Sequence, residues 1–127
     1  MSAVTARSIV ESQAQKFIAA LQERNAAKIA AFHTMNVRVL PPGSPMLQGR
    51  EAVQGFYQYL LDNGVKDMRF ETIDAEFLSE NTIQEINHSF TTIQGPDGAT
   101  QVIKGTAVVL WQLEDGEFKL NVDIWNN

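Results

Sequence analysis

The chain has 127 residues, 44% of them hydrophobic and 20% charged, with 15 acidic side chains against 10 basic ones and no cysteine. That composition fits one ordinary globular domain, which at this length buries roughly two-thirds of its unfolded surface. It excludes a disulfide framework, a cysteine-ligated metal site and a thiol nucleophile, and a net charge of -5 leaves no basic stripe for a nucleic acid.

No apolar run approaches the ~18–20 residues of a membrane span. Arg7 has no apolar stretch behind it, so no secretory signal is expected and the setting expected is soluble and cytoplasmic, without a membrane partner. There is no repeat or linker, and residues 1–127 read as a single domain.

From about residue 5 to 24, Val10, Ala14, Phe17, Ile18 and Leu21 fall on one stripe of a 3.6-residue helix. Asn25 can cap a second, short helix through Ala26, Ile29, Ala30 and Phe32. Val37 to Leu40 reads as a short strand stopped by Pro41 and Pro42, with a loop at Gly43-Ser44-Pro45. Gly49 opens a third helix carrying Ala52, Val53, Phe56, Tyr57, Leu60 and Leu61, and Gly64 ends it. The period then changes to two. Strands are expected over about 68–78, 82–94, 101–113 and 117–125, with Asp115-Gly116 as a tight-hairpin signal. Three helices followed by a long antiparallel meander indicate an α+β domain, its helices on one face of a curved sheet.

Four stretches in this order resemble the SnoaL-like group of the nuclear-transport-factor-2-like, or ketosteroid-isomerase-like, superfamily. They are Phe17-Ile18-Ala19-Ala20-Leu21; Val39 to Pro45 with Gly49 to Val53 and Phe56-Tyr57; Gly105 to Trp111; and Asp115 to Leu120 ending in Asp123-Ile124-Trp125-Asn126. The resemblance implies a cone-shaped α+β barrel, three N-terminal helices packed on a strongly curved, mostly antiparallel sheet, with a pocket at the open end and commonly a homodimer. Relatives include ketosteroid isomerases, polyketide cyclases, dehydratases and epoxide hydrolases, and one fold hosts many functions.

An isomerase of this kind needs an aspartate base, a helical tyrosine and a protonated late-strand aspartate. The resemblance puts those positions on Leu40, Phe17 and Val108 or Val109. None of these side chains can take or give a proton, so that machinery is not expected and a greasy hollow without it is.

Two ionisable residues remain as catalytic candidates. Alternation groups His88 with Gln84, Ile86 and Phe90, against Glu85, Asn87, Ser89 and Thr91. The apolar members suggest that the His88 face is the inner one, where the imidazole could act as a general base; the other reading is a half-buried histidine satisfied by a neighbour. A regular strand puts Asp123 opposite Phe118, Leu120, Val122 and Ile124, facing outward or toward a partner. A bulge before Asn121 would instead swing Asp123 and Trp125 into the pocket, and the family resemblance favours the pocket. The expected ligand wall is apolar at Phe17, Leu40, Phe56, Tyr57, Ile86, Phe90, Val108 and Trp125, with Gln84 and Asn121 as polar contacts. Asp74 and Glu76 read as a solvated strand face, His33 as an exposed loop residue, and Glu51 as a partner of the helix dipole.

No glycine-rich phosphate loop, nucleophile elbow or His-x-x-x-His spacing is present, so no cofactor or metal is expected. Val108, Leu110 and Trp125 leave the second sheet face partly apolar, which suggests packing against another copy. The first reading is a domain of unknown activity that binds a small hydrophobic ligand. The alternatives are a cyclase, dehydratase or hydrolase using His88 and Asp123, and a homo-oligomerising association module. Whether His88 and Asp123 open onto one cavity discriminates between the first two.

Overall fold

The computed structural model describes residues 5–127. Helix α1, Ala6–Gln22, starts on a reciprocal cap: the Ser8 backbone N–H donates to Thr5 Oγ1 at 3.0 Å, and the Thr5 N–H donates to Ser8 Oγ at 3.2 Å. Asn25 Oδ1 caps α2, Ala26–Ala31, by accepting from the Lys28 N–H at 3.1 Å. Strand β1, His33–Leu40, and the two-residue β2, Leu47–Gln48, precede α3, Arg50–Asp62. The rest is a meander of β3, Val65–Ser79; β4, Thr82–Gln94; β5, Thr100–Glu114; and β6, Glu117–Asn126. Among the described residues no helix is long and apolar enough to cross a membrane.

The meander matches expectation to within one residue at β4, β5 and β6. Two strands start earlier than the apolar pattern suggested, β1 at His33 instead of Val37 and β3 at Val65 instead of Met68. Both extensions are joined by pairing rather than propensity: His33 lies opposite Leu120 of β6, and Val65 opposite Ile93 of β4.

The six strands form one sheet in the order β2-β1-β6-β5-β4-β3. It is mixed, because β1 runs parallel to β6 while the other neighbours are antiparallel. Helix α1 packs against both β3, at one edge, and β6, three strands away. One helix can reach both only if the sheet bends around it, which gives the unclosed α+β cone. Bulges supply the bend. On β3 the register skips Ile73 between Thr72 and Asp74, and the Arg7 guanidinium of α1 donates to the carbonyls of Thr72 and Ile73 at 2.8 and 2.9 Å. The helix is thereby tied to the kink.

Two apolar clusters fill the cone. One gathers Phe17, Leu21, Ile29, Val37, Val53 and Tyr57, and the other Val10, Ile83, Val109, Trp111 and Leu120. Trp125 packs against both. Full burial of a valine, leucine or isoleucine contributes roughly 1.5–3 kcal/mol each, so these residues dominate the stability of the fold.

Gly64 turns the chain from α3 into β3 at φ +102, and a Cβ there would collide with the Gln94 carbonyl. Gly43 has a comparable φ of +69 but open space around it. Gly64→Ala should therefore lower the denaturant midpoint well beyond Gly43→Ala, which carries only the left-handed penalty of about 1 kcal/mol. Equal losses would show that the close approach at Gly64 is unimportant.

Candidate functional site

A cavity of about 70 Å³ lies between the two clusters, room for several waters or the reactive end of a small molecule. Helix α1 contributes Ala14 and Phe17, α3 contributes Tyr57, and β3 contributes Met68 and Phe70. Glu85, Asn87, Ser89 and Thr91 come from β4, Ala107, Val109 and Trp111 from β5, and Leu120, Asp123 and Trp125 from β6, with Asn127 beside them.

The polar face of β4 points inward, which reverses the expectation drawn from its apolar residues. Glu85 and Asn87 are only 2% and 5% exposed and line the cavity, so Gln84, Ile86, His88 and Phe90 lie on the outer face by the pleat. His88 is half-buried there, its Nδ1 3.1 Å from the Thr106 hydroxyl. His88 and Asp123 therefore do not share a cavity. The inside-apolar rule misleads here because the inner face of this strand borders a cavity, not solid core.

Strand β6 carries the bulge on which the placement of Asp123 turned. Leu110 pairs with Val122 but Trp111 pairs with Leu120, so Asn121 is the extra residue. Leu120, Asp123 and Trp125 consequently all face inward, while Val122 and Ile124 face out. Asn121 itself turns away from the cavity and its Oδ1 accepts from the Thr34 hydroxyl at 2.7 Å.

Phe17, Tyr57, Asp123 and Trp125 are thus the expected site residues found on the wall. Leu40, Phe56, Val108 and Asn121, with the outer-face residues of β4, are not. Val108 alternates with the inward Ala107 and Val109 and is 40% exposed. Leu40 pairs with the outward Ile124. Phe56 stands behind the wall, its ring 5.5 Å from Tyr57 and 6.3 Å from Trp125. Asp74 and Glu76 are exposed, as a solvated face requires.

The hollow is not free of proton-handling groups, as the apolar isomerase positions suggested. Glu85 was missed because Glu85, Asn87, Ser89 and Thr91 look like a solvated face; the available clue was the Trp111 indole, which needs an acceptor when buried. Its Nε1–H donates to Glu85 Oε1 at 3.0 Å, and the Thr72 hydroxyl donates to Oε2 at 2.7 Å. Asp123 sits between Val39 of β1 and Val109 of β5. Burial, and then the nearby Glu85 charge, push its carboxyl up to about 7. Burial, reinforced by the Asp123 charge, drives the Tyr57 phenol well above its ordinary range, so its hydroxyl stays a donor.

His33 is fully buried, contrary to its reading as an exposed loop residue. Its ring packs 6.1 Å from Tyr57 and 6.3 Å from Phe17. Nδ1 donates to the Ile29 carbonyl at 3.0 Å, the only direction a carbonyl allows, and Nε2 has no partner. Burial lowers its pKa to about 4. The Arg50 guanidinium clamps this corner by donating to the His33 carbonyl at 2.8 Å and to Glu114 at 2.9 Å. Among the described residues no group of three or more His, Cys, Asp or Glu is placed to hold a metal ion.

Residues 14–120 match the model of the SnoaL-like domain, and the chain belongs to that family. No curated protein sequence matches it. Among solved structures it is similar to a proposed scytalone dehydratase from Novosphingobium aromaticivorans, with a TM-score of 0.82 at 13% identity over 94% of this chain and 82% of that one. A proposed calcium/calmodulin-dependent protein kinase II association domain from Xanthomonas campestris gives 0.81 at 16% identity over 93% and 84%. A ketosteroid isomerase-like protein from Erwinia carotovora atroseptica gives 0.80 at 15% identity over 93% and 92%. Identities this low establish the nuclear-transport-factor-2-like cone fold and not a shared activity.

Two of the shifted groups, Asp123 and His33, tilt stability in opposite directions with pH. Between about 4 and about 7 the folded chain keeps an Asp123 proton that the unfolded chain has released, so rising pH removes stability, by about 4 kcal/mol at most. Between 6.5 and about 4 the unfolded chain protonates His33 while the folded chain does not, so falling pH removes stability. Asp123→Asn should abolish the first slope and expose the second. Its denaturation midpoint should exceed that of the parent at pH 8 and fall on acidification to pH 4.5. A variant whose advantage is the same at both pH values would contradict the Asp123 assignment.

Proposed function

We propose that the protein is an enzyme that moves a proton on a small, largely apolar molecule, by isomerisation or elimination, with Asp123 as the acid–base group. The observation that carries this is a cavity-lining carboxyl poised at about 7, beside a second carboxyl held by two donors. A group near the working pH can both accept and return a proton. Ionised Asp123 would take a C–H proton next to a carbonyl, and the Tyr57 O–H would hydrogen-bond the developing oxyanion. Return of that proton to another carbon completes an isomerisation; delivery to a departing hydroxyl releases water and completes a dehydration. Phe17, Tyr57 and Trp125 would bracket the apolar part of the ligand. His88 has no part in this step, being on the other sheet face. The dehydratase and isomerase-like names among the structural neighbours agree with the reaction class.

A panel of aromatic and alicyclic ketones in deuterated water tests it. Deuterium should enter the α-carbon of at least one, and Asp123→Asn should slow that exchange about 100-fold or more. Saturable binding without exchange would leave ligand binding without turnover, the reading favoured by the apolar Leu40, Phe17 and Val108 or Val109 at the isomerase positions.

We also propose a homodimer through the outer sheet face. Val108 and Ile124 are 40% and 45% exposed there, with Ile86, Leu110 and Val122 beside them on the pleat. Trp125 no longer counts toward that face, since it points inward. Light scattering at tens of micromolar should give twice the chain mass, and Ile124→Glu should return it to one. A monomeric parent protein would remove the proposal, and with it the association-module reading.

A further inference from the structure

The cavity differs in charge from what a merely greasy hollow would offer. Among the described residues that line it, two are carboxylic acids and none is lysine, arginine or histidine. Glu85 is held by the Trp111 indole and the Thr72 hydroxyl, and a carboxylate oxygen can accept more than one hydrogen bond. Asn87, two residues along the same face of β4, is 5% exposed, and its Oδ1 is buried with no hydrogen-bond partner. A buried acceptor left without a donor is costly, and a bound group that supplies one recovers that loss. Phe17, Tyr57, Phe70, Trp111 and Trp125 line the same cavity, and an aromatic ring that turns its face to a cation attracts it.

We propose that the cavity takes the ammonium group of a small primary or secondary amine carrying an apolar ring, seated between Glu85 and Asn87. The ammonium supplies donors to Glu85 and to the orphaned Asn87 oxygen, and its charge is the only sign that the lining favours. Anionic ligands such as carboxylates and phosphates are excluded by the same lining. This rests on the cavity being the ligand site of the reading above and deepens it by naming the substrate class. Asp123 remains free to act on the part of the molecule beyond the amine.

Benzylamine, benzyl alcohol and benzoate form a matched probe set for calorimetric titration at pH 7. Benzylamine should bind at least ten-fold more tightly than benzyl alcohol, with benzoate weakest. Glu85→Gln, checked for folding by circular dichroism, should bring benzylamine and benzyl alcohol within about three-fold. If that variant does not fold, Asn87→Leu should lower benzylamine affinity at least five-fold while sparing benzyl alcohol. Asp123→Asn should lose exchange activity yet keep a preference of at least five-fold for the amine, so failure of the acid–base reading and failure of the amine reading are separable. Equal affinity for amine and alcohol, a preference for benzoate, or no saturable binding of benzylamine would each overturn the inference.

Discussion

A single extra residue in β6 governs the chemistry of this domain. Side chains alternate along a strand, so a one-residue slip exchanges the two faces. Without Asn121 as a bulge, Val122 and Ile124 would face the hollow, and Asp123 and Trp125 would join the outer surface. With it, Leu120, Asp123 and Trp125 face inward together. The Thr34–Asn121 hydrogen bond holds the extra residue against β1. That bond in turn depends on β1 beginning at His33, in parallel pairing with β6.

The two carboxyls that share the hollow are distinguished by their partners. Glu85 receives hydrogen bonds from Trp111 and Thr72. Asp123 is flanked by valines on both neighbouring strands. Desolvation, and then the Glu85 charge, push its carboxyl up to about 7. A buried carboxyl that titrates near neutrality is suited to proton transfer. Behind them His33 is kept neutral by burial, so this corner of the fold adds no positive charge to the hollow.

The sheet has reversed the usual polarity at its most chemically relevant strand. β4 turns its acid, amide and hydroxyls toward the cavity and Ile86 and Phe90 to the outside. A strand can do so only where its inner face meets space rather than packed side chains and where its outer face has somewhere to bury its apolar groups. The curvature of the sheet around α1 supplies the first condition. The proposed second copy of the chain would supply the second. Site and association surface are then two sides of the same strands, β4, β5 and β6.

The sequence alone determined the helices, the hairpins and the class of fold. Those are written in local signals: the stripe of Val10, Phe17 and Leu21, the cap at Asn25, the period-two runs and the Asp115-Gly116 turn. The positions of Phe17 and Tyr57 near the centre were legible for the same reason, through size, apolarity and spacing, whereas the inward turn of Trp125 depended on the bulge at Asn121. Which face of β4 is inside, that His33 is buried, and that Glu85 belongs with Asp123 were decided only by the tertiary structure. Each depends on register against a strand remote in the chain, and on whether a face meets core, cavity or solvent. No periodicity in the strand itself encodes that, because an alternating pattern reads the same whichever side the cone closes on.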